Sequence, residues 1–253
     1  MILALVFFVG GIIIGPWLGV VADRAEDRER PELDHRCVTC RSSLGGIAAL
    51  IPVRSWFLRC PNDPAHPAWR YPVIDLGVGL ALAAAAWRFG WSWQLGPYAL
   101  FFAALVVMSV IDAETHLLLN VFTWPTAAVG LFLVLFLSGP NDHADGIWAA
   151  IVGGAFFGGI LMVMHLAYPP GLGRGDVKMA LSLGLFLGWL GTSPLEAIAL
   201  SVWALMLASL GTALFGIGRR IVQGVKAEVP MGPALAAGTA VVVLAPGVFV
   251  GTL

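Results

Sequence analysis

Residues 2–21 read I-L-A-L-V-F-F-V-G-G-I-I-I-G-P-W-L-G-V-V, an unbroken apolar run without a single charge. At about 1.5 Å of rise per residue, an α-helix of this length spans about 30 Å, the thickness of a bilayer's hydrocarbon core. Further apolar stretches long enough, or nearly so, to cross lie at 73–90, 97–112, 121–138, 147–167, 177–191, 195–217 and 231–252. The expected fold is therefore an all-α polytopic membrane protein with about eight transmembrane helices. Composition agrees. Of 253 residues, 59% are hydrophobic and 11% charged, with a mean hydropathy of +0.88, whereas soluble domains carry about 25% charged residues. The first run has no basic residues before it and no small-residue cleavage pattern after it, so it reads as a retained helix and not a signal peptide.

The basic residues orient the chain. With the N-terminus outside, Arg24, Arg28, Arg30, Arg36, Arg41, Arg54, Arg59 and Arg70 fall in one cytoplasmic loop, Arg174 and Lys178 in a second, and Arg219, Arg220 and Lys226 in a third, leaving only Arg88 outside. The outer loop S-G-P-N-D-H-A-D-G (138–146) holds two acids and no base. An asymmetry this strong sets topology and predicts both termini outside, with an even number of spans. The organisation expected is helix one at 1–21, a small cytoplasmic cysteine-containing domain at 22–72, and a helical bundle at 73–253. Gly11, Gly15 and Gly19 share a face of helix one. Gly154 with Gly158, and Gly184 with Gly188, repeat the four-residue spacing that lets membrane helices approach closely; packing within the monomer is the expected use.

Two carboxylates stand where such a chain should avoid them. Asp176 closes G-L-G-R-G-D (171–176) at the start of helix six, and Asp112 ends the apolar run V-V-M-S-V-I-D (106–112) of helix three. The predicted topology brings both to the cytoplasmic side at similar depth. An acid at the edge of a membrane helix is costly and marks a functional site by default. Two carboxylates in one site cannot both ionise easily, so one can activate water while the other protonates a carbonyl, the aspartic-protease arrangement. A single Asp at a helix end is as readily a cap, and that reading stays open for Asp176. Gly171, Gly173 and Gly175 let the backbone turn tightly and admit another chain. Glu114 and His116 fall beyond the apolar run and read as facing water. Glu114, Gly173, Gly175 and Lys178 are the candidate substrate-binding or supporting residues; Lys178 orients a carboxylate or anchors its helix at the interface.

These residues resemble the prepilin peptidases, or type IV leader peptidases, membrane aspartic proteases of the G-x-G-D type. Gly173-Arg174-Gly175-Asp176 followed by Lys178 matches that motif. I-D-A-E-T-H-L-L-L-N-V-F-T-W-P (111–125) matches the stretch carrying the other catalytic Asp, and V-P-M-G-P-A-L-A-A-G (229–238) a later loop. R-C-V-T-C (36–40), I-P-V-R-S-W (51–56) and R-Y-P-V-I-D (70–75) resemble the extra cytoplasmic domain of bifunctional members. Leu119 and Asn120 depart from the usual Pro and Asp, and Asp75 stands where Glu is common. The resemblance implies a multi-pass enzyme of the bacterial inner membrane, its active site facing the cytoplasm. It would cut the short leader from type IV prepilins or the pseudopilins of type II secretion, with Asp112 and Asp176 catalytic and no metal or cofactor at the dyad. It also implies N-methylation of the new N-terminus with S-adenosylmethionine, for which the sequence shows no cofactor motif. A G-x-G-D protease acting on other membrane helices, an ion-coupled transporter using the paired acids, and an inactive scaffold of the secretion machinery are the competing functions.

All three cysteines lie in the polar segment. Cys37, Cys40, Cys60 and His66 have zinc-ligand spacing, with His35 a competing ligand. Thiols that stay reduced on the cytoplasmic side, without metal, are the alternative. His143 and His165 are assigned to solvent or packing. Trp56, Trp69, Trp87, Trp91, Trp93 and Tyr71 read as headgroup anchors. Seven acids balance the eight arginines of the segment, so it is not read as a nucleic-acid binder; the bilayer and a pilin-like substrate are the partners expected.

Overall fold

The computed structural model describes residues 1–26, 50–57, 70–115, 120–137, 143–169, 172–223 and 230–251, with Cys37, Ser42, Cys60 and Asn62. Cys40, His35, His66, Trp69, His116, Leu119, Gly171 and Lys226, all used in the sequence reading, lie outside the described residues. The described chain is helical: α1 (Ile2–Glu26), a single 3-10 turn (Arg54–Phe57), α2 (Arg70–Phe89), α3 (Leu95–Thr115), α4 (Asn120–Leu137), α5 (His143–Ala167), α6 (Arg174–Leu190), α7 (Pro194–Gln223), α8 (Gly232–Leu244) and α9 (Pro246–Val250). It divides into two compact units, Met1–Val110 and Ile111–Leu253.

A helix stands at each of the eight expected positions, but among the described residues five are long and apolar enough by themselves to cross: Ile2–Asp23, Arg70–Phe89, Leu95–Glu114, Asp145–Ala167 and Pro194–Ile221. The apolar part of α4, Thr123–Leu137, is shorter, and α6 has 17 residues, or about 25 Å. The expected span 231–252 is broken. α8 stops at Leu244, Ala245 leaves helical geometry at φ −137° and ψ 55°, and α9 starts at Pro246. Proline has no N–H to continue the ladder and clashes with the carbonyl four residues back. α3 runs on to Thr115, which places Asp112 inside the last helical turn.

In the first unit α1 packs closely on α2. A Cβ at Gly11 would lie 2.6 Å from the Gly79 Cα, and one at Gly15 2.5 Å from Asp75 Oδ1. Asp75 is fully buried, and its Oδ2 accepts the indole N–H of Trp56 at 2.8 Å. Tyr71 is 2% exposed. The Trp56 indole N–H is thus given to a buried carboxylate, which needs donors, and Tyr71 is buried, so neither stands as an exposed headgroup anchor. Trp87, Trp91 and Trp93 are exposed.

The second unit is built around α6, whose Met179, Ala180, Leu183 and Leu187 are fully buried and which packs against α4, α5, α7 and α8. The tightest pairing is with α5 and is made by small residues. A Cβ at Gly184 would fall onto the Gly153 carbonyl, one at Gly188 onto the Ala149 carbonyl, and one at Gly158 2.6 Å from the Leu181 side chain. At Gly159, the next residue after Gly158 and about 100° further round the helix, a Cβ would meet nothing within 4 Å. Gly184→Ala should destabilise the protein by about 1–3 kcal/mol through overpacking, while Gly159→Ala should be silent. Thermal unfolding of the solubilised variants checks this, and equal melting of the two would remove the glycine contact as the reason for the pairing.

Candidate functional site

Asp112 and Asp176 both belong to the second unit and are 5% and 8% exposed. Each reaches burial from a helix end. Asp112 sits in the last turn of α3 and Asp176 at the third position of α6, ahead of the apolar run that begins at Val177. A carboxylate in such a setting must be met by donors, and in both cases one is a glycine N–H outside the residue's own helical ladder.

The Gly232 N–H, from the turn that opens α8, donates to Asp112 Oδ2 at 3.0 Å across 120 residues of sequence. Gly232 has no room for a side chain, since a Cβ there would lie 2.5 Å from Asp112 Oδ2. Nothing in the residue types of M-G-P (231–233) marks Gly232 for this role. Its function depends on a backbone atom, which residue type does not reveal.

The Gly173 N–H, at the N-cap of α6, donates to Asp176 Oδ2 at 3.2 Å. This is half of a capping box, so the capping reading of Asp176 is correct in part. It uses one oxygen. The other, Oδ1, is buried and has no hydrogen-bond partner among the described residues. Burial pushes Asp176 up to about 6, the Asp112 charge adds to the rise, and the Gly173 N–H works against it. The Asp112 charge thus reaches Asp176, as like charges near one another raise a carboxyl's proton affinity.

The expectation about the glycine loop changes. Gly173 has φ −70° and ψ 147°, extended backbone open to any residue, and Gly175 lies inside α6. Neither is a positive-φ position. Gly173 is set by proximity: a Cβ there would sit 3.2 Å from Asp176 Oδ2. Glu114 is half-buried in the last turn of α3, and Lys178 is half-buried on α6, roughly 200° around the helix from Asp176.

In the first unit Cys37 and Cys60 are each 5% exposed and share a buried cluster with Tyr71. They are thiols and not a disulfide. The Cys37 N–H donates to the Ser42 carbonyl at 2.9 Å, and Ser42 Oγ lies 3.5 Å from Cys60 Sγ. Cys40 and His66 lie outside the described residues, and among the described residues no cluster of three metal-ligating side chains forms.

Asp112→Asn removes one charge and leaves burial in place. The Asp176 titration should then fall from about 6 only part of the way towards the ordinary carboxylate range. The infrared C=O band of the protonated carboxyl, followed against pH, reads this directly. An unmoved midpoint would show that the two groups share no field.

Comparison with known proteins bears on both units. Residues 99–217 match the model of the type IV leader peptidase family, and residues 9–89 that of the bacterial peptidase A24 N-terminal domain. Among curated proteins the chain is similar to the prepilin leader peptidase/N-methyltransferase of Stutzerimonas stutzeri, 32% identical over 74% of this chain and 63% of the relative. It is also similar to that of Pseudomonas aeruginosa, 30% identical over 70% and 59%. That of Bacillus subtilis is 27% identical over 94% and 88%. The matched region thus spans about three fifths of the length of the first two relatives. No solved structure matches.

Proposed function

The chain belongs to the type IV leader peptidase family, and from that premise we propose that it is a membrane aspartic endopeptidase that removes the short leader of type IV prepilins or pseudopilins. The observation that carries the reading is the pair Asp112 and Asp176, buried in one unit, acting on each other, each anchored by a glycine N–H. In the mechanism Asp176 carries the shared proton. Asp112 takes a proton from water, the hydroxide attacks the scissile carbonyl, and Asp176 protonates the carbonyl oxygen. The tetrahedral intermediate then collapses, the peptide C–N bond breaks, and the leaving amine takes a proton from the dyad. No covalent intermediate forms. Gly173, beside Asp176 at the start of α6, and Glu114, in the last turn of α3 with Asp112, are the supporting residues in this reading; Gly175 and Lys178 lie within α6, and the turn of the helix sets Lys178 away from Asp176.

Both acids lie at helix ends, which fits cleavage at the membrane face. An ion-coupled transporter sets its acids near the bilayer midplane, between broken helices. The arginine asymmetry supports a cytoplasmic position for this face with both termini outside, and the family relationship supports a bacterial inner membrane. The relatives' names carry a second activity, N-methylation; for this chain it is a proposal resting on the match over residues 9–89, and no residue is assigned to S-adenosylmethionine. The shared burial of Cys37 and Cys60 fits a zinc ion held by those thiolates with Cys40 and His66, where the metal would hold the polar segment folded. The purified chain should then contain about one zinc per molecule, and Cys37→Ser should lose it; a metal-free native chain would end that reading.

The deciding experiment is co-expression with a prepilin. Asp112→Asn and Asp176→Asn should each abolish the gel shift of leader removal while keeping native membrane levels. Cleavage by both variants would sink the dyad, and a native chain that cuts other membrane helices but no prepilin would favour the broader G-x-G-D protease. The mass of the mature N-terminus shows whether a methyl group has been added.

A further inference from the structure

By sequence His165 is expected to face solvent or pack. The structure gives it a partner. His165 stands in the last turn of α5, half-buried, and its Nδ1 lies 2.7 Å from the Leu172 carbonyl oxygen. A carbonyl can only accept, so the ring nitrogen carries the hydrogen and donates. His165 is the only side chain with a nitrogen or oxygen in A-F-F-G-G-I-L-M-V-M-H-L-A (155–167). A polar group in so apolar a stretch is retained at a cost that a hydrogen bond must offset.

The carbonyl it holds belongs to the peptide whose other end touches the dyad. Leu172 C=O and Gly173 N–H are the two poles of one planar unit and point in opposite directions. Gly173 N–H is the group that donates to Asp176 Oδ2 at 3.2 Å. That peptide lies between α5 and α6, outside both helices, so no helical ladder sets its rotation. Turned over, it would present its carbonyl oxygen to the Asp176 carboxyl.

We propose that His165 is a positioning residue for the dyad: by donating to Leu172 O it fixes the rotation of the Leu172–Gly173 peptide and so keeps the Gly173 N–H on Asp176. The hydrogen bond at the carbonyl also polarises the N–H at the far end, since linked hydrogen bonds strengthen one another. The consequence for catalysis rests on the peptidase reading above; the consequence for Asp176 itself does not.

The test compares three variants of the full chain in membranes. Asn is the conservative replacement, because its amide nitrogen is as many bonds from the main chain as His Nδ1 and can donate to the same carbonyl. Leu keeps bulk without a donor, and Ala keeps neither. With a purified prepilin substrate, His165→Ala and His165→Leu should both lose kcat roughly 10- to 100-fold, the scale of a small misplacement of a reacting group, with KM unchanged. His165→Asn should regain most of it. Independently of cleavage, the infrared midpoint of Asp176 should rise above about 6 in the Leu variant, because a donor favouring the carboxylate is lost while Asp112 still faces it, and return in the Asn variant. Native kcat in His165→Leu, or rescue by Leu and not by Asn, would overturn the proposal in favour of packing. If the native chain cuts no prepilin, the peptidase reading fails, and the infrared midpoints alone then decide whether His165 holds the peptide: a rise in Leu reversed in Asn upholds it, no rise overturns it.

Discussion

The Gly232 N–H on Asp112 Oδ2 is the contact that sets the position of Asp112 in the second unit. It ties the end of α3 to the start of α8 across 120 residues, at a point where an apolar environment punishes an unmet carboxylate. No side chain could substitute for it in the same space, because a Cβ at Gly232 would lie against the carboxylate it serves. The same solution recurs at Asp176, served by the Gly173 N–H. Backbone donors suit such a site because a main-chain N–H brings no counter-charge of its own, and it comes already fixed in direction by the peptide plane.

That arrangement decides what chemistry is open. Anchoring one oxygen of Asp176 leaves Oδ1 buried and without a partner among the described residues, where a proton or a water hydrogen can be exchanged. Had both oxygens been taken by donors, the residue would be only a cap. Burial and the neighbouring Asp112 charge together raise the proton affinity of Asp176, which favours its protonated form over that of an ordinary surface carboxylate. α6 presents this carboxyl from the most buried helix of its unit, and the glycine contacts with α5 let the two helices lie close enough for His165, on one, to reach the loop that begins the other.

The first unit shows the same constraint applied to structure. Arg70 and Asp23 pair at 3.5 Å with their side chains 2% and 5% exposed, and Asp75 takes the Trp56 indole N–H. Removing one member of a buried charged pair leaves the other uncompensated, which costs far more than the pair contributes. These contacts join the end of α1 and the Arg54–Phe57 turn to the first turns of α2. Trp56 is held by Asp75 and Tyr71 is buried with Cys37 and Cys60, so a position near a predicted interface did not make either an exposed anchor.

Much was legible in the chain itself. The uncharged run 2–21 and its successors determined a membrane-embedded helical protein, because hydrocarbon admits helices only where apolar residues continue long enough. Asp112 and Asp176 stood out because charge is improbable at those edges, and the four-residue glycine spacings foretold close helix contacts. What tertiary structure alone decided was everything carried by the main chain or by partners distant in sequence. The break of the last span at Pro246, the length of α3 beyond Asp112, the Gly232 donor and the His165–Leu172 bond are of this kind. A residue's letter reports its side chain, whereas an N–H or a C=O is present at nearly every position. Which of them meets a carboxylate is settled only when the helices are packed.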